Sequence, residues 1–133
     1  MILVDTSAFY ARYDRRDFNH GTATRLWKEL AGTRLIATNH ILDETLTLLA
    51  RRIGYPFAAD LANRFFTSVA LDIVYTTRAE EGEALPFCRK FADQNIGFTD
   101  CISFSVMRRN GISTAFTFDR HFIDAGFKVI GLK

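Results

Sequence analysis

The 133-residue chain is poor in the residues that would suggest several common kinds of chemistry. It has two cysteines, Cys88 and Cys101, neither in a CxxC pair, which argues against both a disulfide framework and a zinc site; two reduced, mostly buried thiols are expected. Its three histidines, His20, His40 and His121, are scattered among helix starts, and none accompanies a nucleophile in a catalytic triad motif. They read as surface or capping residues, with His121 placed near Asp119 as a candidate phosphate contact. No uninterrupted apolar run reaches the length of a membrane helix, and Asp5 cuts the first run, Ile2-Leu3-Val4, too early for a signal peptide. A cytoplasmic protein is the expectation. Internal repeats, low-complexity tracts and linkers are also missing, so one domain spanning residues 1–133 is expected.

What is present is a well-formed alternation. Hydrophobic residues make up 48% of the chain, enough for a real core. Ile2-Leu3-Val4 is apolar without alternation, the pattern of a strand covered on both faces. A short helix over Thr6 to Arg12, a charged connection from Arg12 to Asp17 and an amphipathic helix from Phe18 to Leu30 follow. The spacing then predicts a strand over 34–37, a helix from Asn39 to Ile53 and another over Phe57 to Val69. A strand at Asp72 to Tyr75 precedes helical sequence over 77–93, which Pro86 would kink or interrupt. A helix from Asp100 to Arg109, capped by Thr99, is flanked by strands over 112–116 and 127–130, with a helical turn over Arg120 to Ala125 between the last two. This order predicts an α/β protein, a three-layer α/β/α sandwich on a short, mostly parallel sheet with right-handed crossovers.

Four carboxylates stand where a core would not want them. Asp5 follows the first strand, and in open α/β sheets ligands bind beyond the carboxyl ends of the strands. Asp119 has the same relation to the strand ending at Phe116, although an Asx turn is an equal account of it. Glu44 is in line with Ile41 and Leu48 on one helix, where an acid at the rim of the apolar stripe, salt-bridged to an arginine, is the other account and by itself the better one; adjacent Asp43 points toward solvent. Asp100 begins a helix that is small or apolar nearly all round, where an acid could equally serve the helix dipole. Gathered in one cleft, these acids would repel one another unless a cation sat among them, and oxygen ligands without His or Cys favour Mg²⁺ or Mn²⁺.

The net charge of +2, from 17 basic and 15 acidic residues, hides an asymmetry. With those four acids assigned to metal, 17 basic residues face 11 acidic ones, a remainder that favours a polyanion. Arg outnumbers Lys 13 to 4. Arg12, Arg15, Arg16, Arg51, Arg52, Arg108, Arg109 and Arg120 lie near the ends of the elements that carry the acids, where some could hold phosphates.

Four segments in this order, ILVDTSAFYA, TNHILDETLTLL, FTDCISFSVM and TAFTFDRHF, resemble a PIN-domain nuclease, in particular the VapC-type toxins of bacterial and archaeal toxin–antitoxin pairs. The resemblance covers nearly the whole chain. It implies an α/β/α sandwich and metal-dependent hydrolysis of RNA phosphodiester bonds, with Asp5, Glu44, Asp100 and Asp119 as the metal-binding and catalytic acids. Asp5 and Asp100 would be the principal ligands of Mg²⁺ or Mn²⁺, Glu44 would position or deprotonate the water, and Asp119 would complete the shell. Thr6 and Ser7 match polar positions that help hold water or substrate, and Arg120 is a further candidate there. The partners implied are an RNA substrate, a cognate antitoxin and a second copy of the chain; Tyr55, Phe57, Phe65 and Phe66 supply an apolar patch for a homodimer. The alternatives are a housekeeping RNA-processing nuclease of the same family without an antitoxin, and a metal-stabilised RNA- or protein-binding module that does not cleave. A phosphoacceptor receiver explains Asp5 but not Asp119-Arg120, where a receiver carries a late Lys.

Overall fold

A computed structural model describes residues 1–132; Lys133, the last residue of the expected domain, lies outside the described residues. The five strands are β1 (Ile2–Val4), β2 (Leu35–Thr38), β3 (Leu71–Val74), β4 (Thr114–Phe116) and β5 (Lys128–Ile130). They form one parallel sheet in the order β3-β2-β1-β4-β5, with β1 central between Leu35-Ile36 of β2 and Ala115-Phe116 of β4. Leu3 and Val4 are fully buried, as a strand covered on both faces requires.

Topology separates the helices into two layers. α1 (Thr6–Tyr13), α2 (His20–Glu29), α3 (Asn39–Arg52) and α4 (Tyr55–Thr67) make the crossovers from β1 to β2 to β3 and pack against one another. α5 (Arg78–Gly82), α6 (Leu85–Lys90) and α7 (Phe98–Arg109) carry the chain back across the sheet to β4, and α8 (His121–Asp124) continues to β5. Because right-handed crossovers that run in opposite directions occupy opposite faces, the result is the expected α/β/α sandwich. The direction reverses between β1 and β4. Their carboxyl ends therefore flank the crevice at the switch point, where such sheets bind ligands.

Phe104, fully buried on α7, anchors the second layer. Phe122 meets it edge-on with ring centroids 4.9 Å apart, and Phe87, Phe91 and Phe127 complete the cluster. Most Phe residues are packing groups, as the helical spacing indicated.

Several element ends differ from the sequence reading for local reasons. Phe18, assigned to a buried helical stripe, is 98% exposed, and α2 starts only at His20. The Asp14 carboxylate accepts from the Arg16 backbone N–H and the Asp17 carboxylate from that of Asn19, so the segment folds into Asx turns instead of helix. Pro56 lies in the first turn of α4 instead of beyond the end of α3, and Pro86 likewise opens α6, positions where its missing N–H costs nothing. The sequence 77–93 is thus two short helices. α7 begins at Phe98 with Gly97 at its cap, so Thr99 falls inside the first turn and does not cap it. Of the four aromatic residues read as a patch, Phe65 is buried and Phe57 half-buried, whereas Tyr55 and Phe66 are exposed.

Candidate active site

β1 ends at Val4 and the backbone N–H of Asp5 donates to the Phe116 carbonyl, 3.0 Å away, so the sheet hydrogen bonding continues one residue past the strand. That contact holds the Asp5 side chain at the switch point. It is 3% exposed, and its Oδ2 accepts from the Thr117 hydroxyl at 2.8 Å and the Ser7 hydroxyl at 3.0 Å. Oδ1 is buried without a hydrogen-bond partner. A buried carboxylate oxygen with nothing to satisfy it is costly, so this atom marks a place for a ligand.

The other three acids arrive from separate elements. Asp5, Thr6, Ser7, Tyr10, Glu44, Leu48, Asp100 and Asp119 line a single cleft of about 270 Å³. Asp100 is the third residue of α7 and makes no capping bond, which favours the ligand account over the capping one. Burial, reinforced by the negative charges of Asp5, Asp119 and Glu44, pushes its carboxyl up to about 8. Asp5 is raised to about 6 by burial, against the lowering effect of the Thr117 and Ser7 hydroxyls. Two raised carboxyls in one cleft are the electrostatic signature of a site built for a cation.

Asp119 combines both of its sequence readings. Its Oδ1 accepts from the His121 backbone N–H at 2.9 Å, an Asx turn, and its own N–H donates to the Thr117 hydroxyl. His121 Nδ1 is 3.0 Å from Asp119 Oδ1 but off the hydrogen-bonding direction, which leaves that nitrogen buried and unsatisfied. Asp100, Asp119 and His121 each bring one potential ligand atom to within 4.8 Å of the others. Glu44 is exposed at the mouth of the cleft, not within the buried stripe of α3, whose inward face is Ile41, Thr45 and Leu49. Ser7 is bonded internally: its hydroxyl donates to Asp5 and accepts from the Phe118 N–H. The Thr6 hydroxyl is buried and unpartnered, and Arg120 is exposed at the start of α8.

Thr117 escaped the sequence reading. Its hydroxyl serves Asp5, Ser7 and the backbone of Asp119 together, yet in the sequence it looked like a link between strand and acid. The available signal was its equivalence to Asp5: Val4 pairs with Phe116, so each strand is followed by a polar residue at the same level. His20 contacts the Ala11 carbonyl near the end of α1, whereas His40 is half-buried and contacts Thr76 Oγ1 and, at 3.5 Å, Glu81. Cys101 is buried, Cys88 half-buried, and both are free.

Carboxylates from four elements around one crevice of a parallel sheet define a class of α/β protein suited to work on phosphate esters beside a divalent cation. The PIN domain profile matches residues 2–128, and the chain belongs to that family, among its VapC-type toxin ribonucleases. It is 39% identical over 127 residues to the 23S rRNA-specific endonuclease VapC20 of Mycobacterium tuberculosis, covering 96% of this chain and 95% of that one. The crystal structure of that protein, described as a sarcin–ricin loop cleaving toxin, superposes with a TM-score of 0.85 over 96% of both chains at 37% identity. A VapC ribonuclease of Archaeoglobus fulgidus is 36% identical over 106 residues, 76% of this chain and 66% of that protein. FitAcB of Neisseria gonorrhoeae, at 14% identity and a TM-score of 0.67 over 98% of this chain and 96% of that one, shares the fold.

Proposed function

We propose that this endoribonuclease depends on a divalent metal, held by Asp5, Asp100 and Asp119, with Glu44 serving the attacking water. The unsatisfied Asp5 Oδ1, buried in a cleft with three more carboxylates, is the observation that carries the reading. The donors are hard oxygens, which suit Mg²⁺ or Mn²⁺. When bound, such an ion acidifies water and draws charge from the phosphate. The chain's own groups do the rest. Thr117 and Ser7 saturate Asp5 Oδ2 and keep its other oxygen aimed at the cleft. Asp119 is held by the turn to His121. Glu44, open to solvent, orients a water and takes its proton. The buried Thr6 hydroxyl holds water or substrate, Ser7 fixes the wall beside it, and Arg120 meets a phosphate oxygen at the rim.

The likeness to VapC20 over nearly the whole of both chains supports the sarcin–ricin loop of 23S rRNA as the substrate. We further propose one cytoplasmic nuclease domain, restrained by a cognate antitoxin and paired as a homodimer through the exposed Tyr55 and Phe66 on α4. Among the described residues no helix is long and apolar enough to cross a membrane.

The test is cleavage of 23S rRNA and a mixed RNA pool by purified protein with Mn²⁺ or Mg²⁺, with EDTA, and by Asp100→Asn. Metal-dependent cutting at the sarcin–ricin loop that disappears in the folded variant is the expected result. Undiminished cutting in EDTA would remove the metal from the account; cutting of other RNA alone would remove the target.

A further inference from the structure

The catalytic cleft is not the largest concavity of the molecule. A cleft of about 830 Å³ opens at the other end of α1, and its lining includes Arg12, Arg15, Arg16, Lys28 and Arg52 with one carboxylate, Asp14. Asp14 is buried and occupied. It accepts from the Tyr10 hydroxyl and from Arg16, and these bonds hold its carboxyl below the usual range. Among the described residues, Arg12, Arg15, Lys28 and Arg52 form no ion pair, in contrast to Arg25, Arg34 and Arg109, each matched to an acid.

Three of these cations are also braced. The Arg12 guanidinium lies 4.5 Å from the Trp27 ring centre and 5.2 Å from that of Tyr13; Arg52 lies 5.4 Å from that of Tyr10. Arg16 donates to the Arg52 carbonyl, tying the loop after α1 to the end of α3. Positive charge held in place on aromatic faces and left without a counter-charge is the surface a polyanion seeks.

Tyr10 links the two clefts. Tyr10 lines the catalytic cleft, while its hydroxyl binds Asp14 and its ring carries Arg52, both of the basic cleft. Along α3, Glu44, Leu48 and Arg52 follow at intervals of four residues, one stripe that rises about 12 Å. Residues of α1 and α3 thus line both the acidic cleft and the basic one.

We propose that this basic cleft is a second RNA-binding site, which grips phosphates of the substrate strand beyond the scissile bond. The proposal rests on the ribonuclease reading of the acidic cleft and deepens it. The Arg cluster holds the strand in register by its backbone, and the carboxylates act on one linkage of it.

The experiment measures binding of a fluorescent sarcin–ricin hairpin RNA in EDTA, without turnover, at several salt concentrations. Arg12→Gln/Arg15→Gln/Arg52→Gln should bind at least tenfold more weakly, with the slope of log affinity against log salt shallower by about 2, since each single-strand phosphate contact contributes about 0.7. The corresponding triple Lys variant should keep most of the slope, and Lys28→Gln alone should lose a fraction of it. Arg34→Gln, whose side chain pairs with Asp72 elsewhere, serves as the control. In Mn²⁺ the loss should lie in KM, not kcat. Wild-type affinity and slope in the folded Gln variant would overturn the proposal, as would a defect confined to binding a protein partner. Wild-type protein that neither binds nor cuts RNA would overturn the ribonuclease reading itself, a result visible before any variant is made.

Discussion

Thr117 donates its hydroxyl to Asp5 across 2.8 Å, joining residues 112 positions apart in the chain, and the same hydroxyl oxygen accepts from the Asp119 N–H. One side chain thus sets the positions of two acids of the cleft. Thr117→Val keeps the shape and removes the hydroxyl. Activity and Mn²⁺ affinity should fall about 10- to 100-fold, the usual cost of losing a residue that orients a ligand. Titration calorimetry and cleavage assays measure both, and Thr117→Ser should restore most of the loss; a Val variant with wild-type metal affinity would show that Ser7 alone suffices.

Gly131 approaches the same residue from behind. Its φ is 123°, and a Cβ there would stand 2.3 Å from the Thr117 carbonyl oxygen. Gly131→Ala should therefore destabilise the protein by roughly 1–3 kcal/mol and lower activity through Thr117. Chemical denaturation together with cleavage rates tests the pair of effects. Loss of stability with full activity would mean that β5, not Thr117, absorbs the strain.

The raised Asp100 carboxyl makes stability depend on pH in a definite direction. The unfolded chain releases this proton near 3.8, while the folded metal-free protein keeps it to about 8. Between these values the folded state binds the extra proton, so the stability this group contributes is full below 3.8 and is lost as pH rises through about 8. Asp5 adds the same sign over the narrower window up to about 6. The metal-free protein should lose melting temperature from about pH 5 to pH 8, and Asp100→Asn should flatten the curve, melting roughly 5 °C higher than wild type at the alkaline end. Mn²⁺ should raise the wild-type melting temperature most at that end. A variant with the wild-type pH slope would assign the dependence to other groups.

Phe104 tests the core independently of the chemistry. Truncation to Ala removes a fully buried ring that touches four other Phe rings, and should cost about 3–5 kcal/mol. Urea unfolding gives the value; a cost under about 1 kcal/mol would mean the second helical layer repacks freely.

Three of the acids could be found in the sequence because each broke a local pattern: Asp5 and Asp119 follow apolar strands, and Asp100 stands in the first turn of an apolar helix; Glu44 is exposed beside the buried stripe of α3, so periodicity did not mark it and the resemblance of its segment did. The parallel sandwich was legible for a related reason, since unalternating strands separated by helical sequence admit few other architectures. Short-range competition was harder to read. Whether 14–19 continues a helix depends on Asp14 and Asp17 taking backbone N–H groups for turns, and whether Pro86 kinks a helix or starts one depends on where the preceding helix stops.

Strand pairing alone decided the rest. The sequence by itself determined the set of carboxylates, the elements they sit on and the excess of arginine. It did not determine that β4 lies beside β1, which brings Thr117 to Asp5 and Asp119 to Asp100, or that the unpaired arginines share a cleft whose one acid, Asp14, is held by Tyr10. The physical reason is range: propensity and periodicity act over a few residues, whereas the charge repulsion, burial and hydrogen bonding that give these groups their chemistry act between residues that only the folded chain brings together.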